Sequence, residues 1–381
     1  MATNLKDRLT STAFALRGYN VTNLGRTPEL LEHAVYGPII REHLEEAGTI
    51  ASETVGERID LVGRVLSRRE SNLDTFIEDV SLIMAVELAQ LRILREVFGI
   101  EWSDARLAFG YSLGEVAALV ASGVYQLQHI LPTPLELAKE CVELGRNVTM
   151  GIVFSRGGEL SFDRVNRLCL EINSEGQGVI AISSYLSPNT VLLLGQGTTI
   201  RRFKQRMHEE LPKHVHLRTN KNRWPPLHTP LLWERSLPAR AAYILHTIPG
   251  GFTAPKPPIV SLVTGKISYN DWNSREILVR WIDHPQRLWD VVCEVLSAGV
   301  ETIVHVGPEP NLVPATFKRL SDNVVAQMRG FTPAGFGMRA MTTLARRPWL
   351  SKILSTRTIL LRAPFVQHVV LEDWLLEQPL P

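Results

Sequence analysis

Cysteine is scarce in this chain of 381 residues. Cys141, Cys169 and Cys293 are the three present, and none stands in a CxxC or other metal-ligand spacing. That excludes a disulfide framework, gives no support to a zinc site or any other metal, and makes the reducing cytoplasm the expected location. An excess of one charge is lacking as well. Lys and Arg number 41 against 39 Asp and Glu, leaving +2, a field too weak to draw the chain to nucleic acid or to a membrane surface, so neither is expected as a partner. No apolar run approaches the roughly 20 residues of a membrane span, and residues 1–10 are polar and charged where a signal peptide carries its apolar stretch. Internal repeats and low-complexity tracts are missing too. What is present is a 45% share of apolar residues, enough to bury a sizeable core in one large domain or in two to three subdomains.

The spacing of those residues predicts elements. Residues 13–16 read as a strand running into the turn Arg17-Gly18-Tyr19-Asn20. Helical periodicity covers 38–48 and 75–98, the second being the longer and more apolar. Residues 106–110 read as a short core strand and 114–123 as a small-residue helix able to pack closely on a sheet. From about 150 to 217 the order is strand (151–155), helix (162–172), strand (178–184), strand (190–195), helix (200–211), strand (215–217). This β-α-β-β-α-β order is the split βαβ pattern of a small ferredoxin-like subdomain. Beyond it come a strand at 257–264, a helix at 281–298 and a strand at 302–306 closed by Gly307-Pro308. After Phe331 glycine, arginine and proline become frequent, and an apolar tail with Trp349 and Trp374 carries no recognisable chemistry. The expected fold class is α/β. A large hydrolase-like subdomain with a mainly parallel sheet is laid down in two parts, 12–148 and 219–330, around a ferredoxin-like insert at 149–218, with a C-terminal extension over 331–381.

The chemical signal is Gly110-Tyr111-Ser112-Leu113-Gly114. Gly-x-Ser-x-Gly between a strand and a helix is a nucleophile elbow, in which the glycines make room for a turn that presents the serine oxygen. Serine needs a base to take its proton, and the N–H of Leu113, at a helix start, is placed to stabilise an oxyanion. The same five residues also occur in purely structural turns. Glu115 reads as a helix-start carboxylate favoured by the helix dipole.

The run Gly110-Tyr111-Ser112-Leu113-Gly114-Glu115-Val116-Ala117-Ala118 resembles the nucleophile region of malonyl-CoA:acyl carrier protein transacylases and the acyltransferase domains of polyketide synthases, which carry Gly-His-Ser-x-Gly-Glu before an alanine-rich helix. Arg17-Gly18-Tyr19-Asn20 stands where that family has Phe-Pro-Gly-Gln-Gly. His228-Thr229-Pro230-Leu231-Leu232 resembles its His-Ser-Pro-Leu-Met, and Val263-Thr264-Gly265 and Val306-Gly307-Pro308 resemble two further signatures. The resemblance runs in the family's order over about residues 12–325. It implies a ping-pong acyltransferase in which Ser112 attacks an acyl-CoA thioester and His228 shuttles the proton. The N–H groups of Leu113 and Tyr19 would form the oxyanion hole, and an acyl carrier protein would be the second partner. It implies no cofactor beyond the CoA thioester itself. His228 would be oriented by a backbone carbonyl, as in that family.

The acyl group stays open. Malonyl-specific members hold the substrate carboxylate with an arginine on the helix after the elbow, since a guanidinium can pair with it in bidentate fashion. One alignment makes Arg146 that anchor; another, without a gap, falls near Leu137, with Lys139 as the nearest cation. Malonyl is the expected acyl group, with acetyl or another short acyl group as the alternative if neither cation enters the pocket. Tyr111, in place of the family's histidine, changes a pocket wall. A serine thioesterase sharing Ser112 and His228, or a non-catalytic carrier-protein docking module, are the rival readings.

Overall fold

The computed structural model describes residues 5–329 and 356–380. Its strands, in chain order, are β1 (Thr12–Leu16), β2 (Leu107–Gly110), β3 (Val148–Ser155), β4 (Ile180–Ser187), β5 (Thr190–Gln196), β6 (Val215–Thr219), β7 (Ile259–Ser261), β8 (Lys266–Ile267), β9 (Thr302–Val306) and β10 (Gln367–Val370). They form two sheets. One has six strands in the order β10-β9-β1-β2-β7-β8 and is parallel except for the β7–β8 hairpin. The other has the order β4-β5-β3-β6 and is antiparallel throughout, the arrangement that a β-α-β-β-α-β chain adopts in a ferredoxin-like unit.

The central strands β1 and β9 are buried along their whole length, because helices cover both faces of the parallel sheet. Alternation decides which residue faces which layer. Phe14, Leu16, Val304 and Val306 pack towards the long helices Gly37–Val55 and Phe76–Phe98. Ala13, Ala15 and Ile303 face the helices Leu288–Ser297 and Leu312–Arg329. The small sheet is covered on one face only. There the helix Phe162–Asn173 lays down Val165, Leu168, Cys169 and Ile172, one apolar stripe at helical spacing. Its opposite face, with Met150, Ile152, Leu192 and Leu194, looks into a cleft shared with the large sheet.

Two expectations from periodicity are corrected. Residues 281–298 are not one helix but two, Ser274–Asp283 and Leu288–Ser297. Pro285 cannot continue the first, and His284 before it is extended at φ −94, ψ 143, as a residue preceding proline tends to be. The strand read at 257–264 is confined to Ile259–Ser261, since Val263-Thr264-Gly265 is the turn into β8, with Gly265 at φ 76. The helices Pro132–Gly145 and Leu237–Thr247 were not anticipated. In the tail, β10 extends the large sheet alongside β9, and Trp374 packs on Phe98; Trp349 lies outside the described residues.

Candidate active site

The elbow is shaped by close backbone approaches. A side chain at Gly110 would sit 2.0 Å from the backbone of Gly114, and one at Gly114 would sit 2.5 Å from the carbonyl oxygens of Leu16 and Arg17. Only glycine fits at either position, so the turn from β2 into the helix Leu113–Ala121 is forced tight, and Ser112 is held at φ 52, ψ −117. A β-carbon is uncommon in that region of backbone space. The serine therefore projects from the carboxyl end of the parallel strands, where open α/β sheets place their sites.

Ser112 Oγ lies 2.7 Å from Nε2 of His228. The other ring nitrogen, Nδ1, is 2.6 Å from the carbonyl oxygen of Trp281. A carbonyl only accepts, so Nδ1 carries the proton, Nε2 is left as the acceptor, and the Ser112 hydroxyl donates to it. The contact of 3.3 Å between Gln286 Nε2 and His228 Nδ1 is then an approach of two donors, not a bond. Burial drives the His228 pKa down to about 4, only partly opposed by the Trp281 carbonyl and by Asp283. His228 is thus a neutral base at physiological pH.

Trp281 and Gln286 were not anticipated, and both come from the helix break at Pro285. Trp281 Nε1–H donates to the carbonyl oxygen of Ser112 at 3.0 Å, and its indole meets the His228 ring edge-on. Gln286 Oε1 accepts from the Ser112 N–H at 3.1 Å, while its backbone bonds Ser183 and Tyr185 of β4. One residue thereby joins the elbow to the small sheet. The proline was the signal available for this, inside a run whose apolar spacing read as continuous helix.

Leu113 opens its helix, where the first N–H groups have no intrahelical partner. The loop with Tyr19 passes directly over the elbow: a β-carbon at Gly18 would meet the Tyr111 carbonyl at 2.5 Å and the Ser112 β-carbon at 3.2 Å. Arg17 staples this loop from inside, donating to the carbonyl oxygens of Gly18 and Pro308 and to Asn23 Oδ1. The Tyr19 ring packs edge-on against Phe76 and Trp224. Glu115, fully buried, accepts from the Leu262 N–H at 3.0 Å and the Tyr269 hydroxyl at 2.8 Å, so it ties the elbow helix to the strand and turn beside it.

Two spaces meet at Ser112. Behind it is a chamber enclosing about 720 Å³ of empty space, its mouth included, walled by Val80, Val116, Leu137, Leu232 and Leu278 among others; no charged residue lines it among the described residues. In front is the cleft of about 1340 Å³ between the two sheets, lined by His228, Tyr111, His305 and Asn311. Tyr111 thus belongs to the cleft wall. The structure does not bring Arg146 to either space. It caps the Pro132–Gly145 helix with its guanidinium 66% exposed, paired with Asp74 at 3.0 Å. Lys139 is exposed on the outer face of the same helix, because Thr133, Leu137 and Cys141, four residues apart, are the side turned to the chamber. No group of three or more His, Cys, Asp or Glu able to hold a metal occurs among the described residues. No described helix is long and apolar enough to cross a membrane.

This is the architecture of an α/β acyltransferase with a serine elbow and a small ferredoxin-like unit over it. More narrowly, the chain has the malonyl-CoA:acyl carrier protein transacylase fold. FabD from Acinetobacter baumannii is similar at a TM-score of 0.64 with 19% identity, over 81% of this chain and 90% of that one. The acyl carrier protein S-malonyltransferase from Vibrio cholerae O1 biovar eltor str. N16961 gives 0.63 with 20% identity, over 80% and 92%. A type II polyketide malonyl-transacylase solved in complex with its acyl-carrier protein gives 0.61 with 21% identity, over 80% and 92%. In sequence the chain is distantly similar to polyketide synthase GfsA of Streptomyces halstedii, 24% identical over 284 residues, and to the spectinabilin polyketide synthase system protein NorB of Streptomyces orinoci, 26% identical over 243 residues. Those matches take in 72% and 60% of this chain but only 4% and 10% of the relatives' own length. No family model matches the chain.

Proposed function

We propose that this protein transfers a short, uncharged acyl group from a CoA thioester to the phosphopantetheine thiol of an acyl carrier protein, through an ester on Ser112. The observation that carries the reading is the Ser112–His228 pair where an apolar chamber meets a cleft lined by polar side chains. Ser112 Oγ adds to the thioester carbonyl as its proton passes to His228 Nε2. The oxyanion is received by the N–H groups of Leu113 and Tyr19. Collapse breaks the carbon–sulfur bond, and the imidazolium returns its proton to the departing thiolate. The carrier thiol then repeats the sequence in reverse.

An uncharged acyl group is favoured over malonyl because, among the described residues, no cation lines this chamber to meet a malonyl carboxylate. Burying a carboxylate unpaired costs several kcal/mol. The relatives solved as malonyltransferases motivate the carrier-protein partner. Intact-protein mass after incubation with butyryl-CoA, acetyl-CoA and malonyl-CoA tests the reading. Adducts from the two neutral thioesters, absent in Ser112→Ala and discharged by a holo carrier protein faster than by water, are the expected result. Loading by malonyl-CoA alone overturns the choice of acyl group, and discharge by water as fast as by carrier makes the protein a thioesterase.

A further inference from the structure

Two buried polar atoms in the cleft wall have nothing to bond among the described residues, Trp224 Nε1 and His305 Nδ1. His305 lies in β9 in register with Ala15 of β1, and both line the cleft that Ser112 and His228 face. His305 Nε2 is 2.9 Å from Nδ1 of His368, which β10 brings from the C-terminal tail. The two rings are nearly parallel, at 11°, with centroids 5.2 Å apart. That is the spacing of rings joined edge to edge by one hydrogen bond; the face-stacked rings of His33 and Tyr36 stand 3.9 Å apart. Phe317 packs against His368 and holds it in place. His305 Nδ1, in a side chain with no exposure, has no partner among the described residues. An unsatisfied buried polar atom costs about 1–3 kcal/mol, and in a cleft wall the natural explanation is a ligand that completes it.

We infer that His305 Nδ1 bonds a secondary amide of the pantetheine arm when a thioester occupies the cleft, and that His368 sets which edge of the amide it meets. This rests on the acyltransferase reading above. The facing nitrogens of the pair share one proton. If it sits on His305 Nε2, Nδ1 is an acceptor and takes the amide N–H; if it sits on His368 Nδ1, His305 Nδ1 carries a proton and donates to the amide carbonyl. A secondary amide offers both edges, so the pair has a complement in either tautomer. Burial keeps both rings neutral, lowering His305 to about 3 and His368 to about 4. A neutral amide ligand suits that pair better than a charged one.

The test compares two thioesters of one acyl group on the full-length chain: butyryl-CoA, whose arm carries the amides, and S-ethyl thiobutyrate, which has none. Acylation of Ser112 is followed by intact mass for wild type, His305→Phe, His305→Gln and His368→Phe. His305→Phe is expected to raise KM for butyryl-CoA about tenfold, the loss of one hydrogen bond, with kcat and the ethyl thioester reaction changed less than about twofold. His305→Gln, which restores a hydrogen-bonding group, should recover KM to within about threefold, and His368→Phe should show a smaller rise than His305→Phe. Equal losses on both thioesters assign His305 to packing and overturn the inference. No change on either leaves Nδ1 to a trapped water, and overturns it too. A wild type inert towards both thioesters overturns the transfer reading and the inference together.

Discussion

The two spaces that meet at Ser112 are built on opposite principles. The chamber behind the serine is walled by aliphatic and aromatic side chains from the helices Phe76–Phe98, Pro132–Gly145 and Leu237–Thr247, and it offers hardly a polar atom. The cleft in front lies between two sheets and presents imidazoles, amides, the tyrosines Tyr19 and Tyr111, and Arg17. An apolar chamber discriminates poorly among neutral groups, since a methylene is worth only about 1–3 kcal/mol, but excludes an unpaired charge strongly. A cleft with hydrogen-bonding groups suits the polar arm of the thioester in the proposed reaction. Ser112 and His228 stand at the seam, and each side can be altered without the other.

Removing the seam has the largest effect. Ser112→Ala should abolish the acyl adduct, and His228→Ala should lower acylation from any thioester by roughly 10⁴- to 10⁶-fold, as in serine enzymes whose nucleophile and base act as a unit. The pH profile separates this base from an ordinary histidine. With the His228 pKa lowered to about 4, kcat/KM for acylation should stay level from pH 8 down to about 5 and fall only below that, as Nε2 becomes protonated. An acid limb near 6.5 would mean that the imidazole is solvated in the working enzyme. The next effect belongs to the chamber alone. Leu137→Arg puts a cation in a chamber that none of the described residues supplies with one, so loading from butyryl-CoA should drop and loading from malonyl-CoA rise, shifting their ratio by on the order of 10- to 100-fold. If the ratio stays put, the acyl group does not enter this chamber.

A smaller effect should fall on both sides equally. Gln286→Leu removes the acceptor of the Ser112 N–H and leaves that group buried and unpaired, at about 1–3 kcal/mol. We expect kcat to fall roughly tenfold with KM unchanged, to the same degree for long and truncated thioesters. A loss confined to CoA thioesters would move Gln286 from the elbow to the cleft.

What the sequence made legible follows from how local each feature is. The elbow needs five consecutive residues, so Gly110 and Gly114 announce Ser112 directly. His228 lies 116 positions from Ser112 and was found through the His-Thr-Pro-Leu-Leu resemblance, not from periodicity. Trp281 and Gln286 were hidden because Ile282, Leu288, Val291 and Val292 keep helical spacing across a proline that in fact ends the helix. Whether Leu137 or Arg146 meets the acyl group depends on the rotational phase of the Pro132–Gly145 helix, which was not read as an element at all. His305 was invisible for another reason. In a strand buried on both faces, Thr-Ile-Val-His-Val carries no alternation to show which side meets the cleft, and its partner His368 arrives from a tail whose sequence gave no hint of chemistry.

The smallest effect on activity, and the sharpest on stability, concerns Glu115 beneath the elbow. Burial raises its pKa from the ordinary 4.5 to about 7, against the opposing hydrogen bonds from Ser261, Tyr269 and the Leu262 N–H. The folded protein therefore holds this proton more tightly than the unfolded chain does. Between about pH 4.5 and 7 the unfolded chain releases it first, so this carboxyl's contribution to stability falls as pH rises through that window and is level above it, by up to about 3 kcal/mol. Glu115→Gln cannot titrate, and its amide retains an acceptor for only part of the donor set, a loss of about 1 kcal/mol. The variant should thus be the less stable protein at pH 5 and the more stable one at pH 8, with acylation of Ser112 nearly unchanged at pH 5. Denaturant midpoints at the two pH values decide it. Glu372 and Glu87, whose pKa values are also raised by burial, titrate in both proteins and cancel in the difference. A gap of the same sign and size at both pH values would mean that Glu115 is ionised throughout, and that the elbow rests on a buried charge instead of a buried proton.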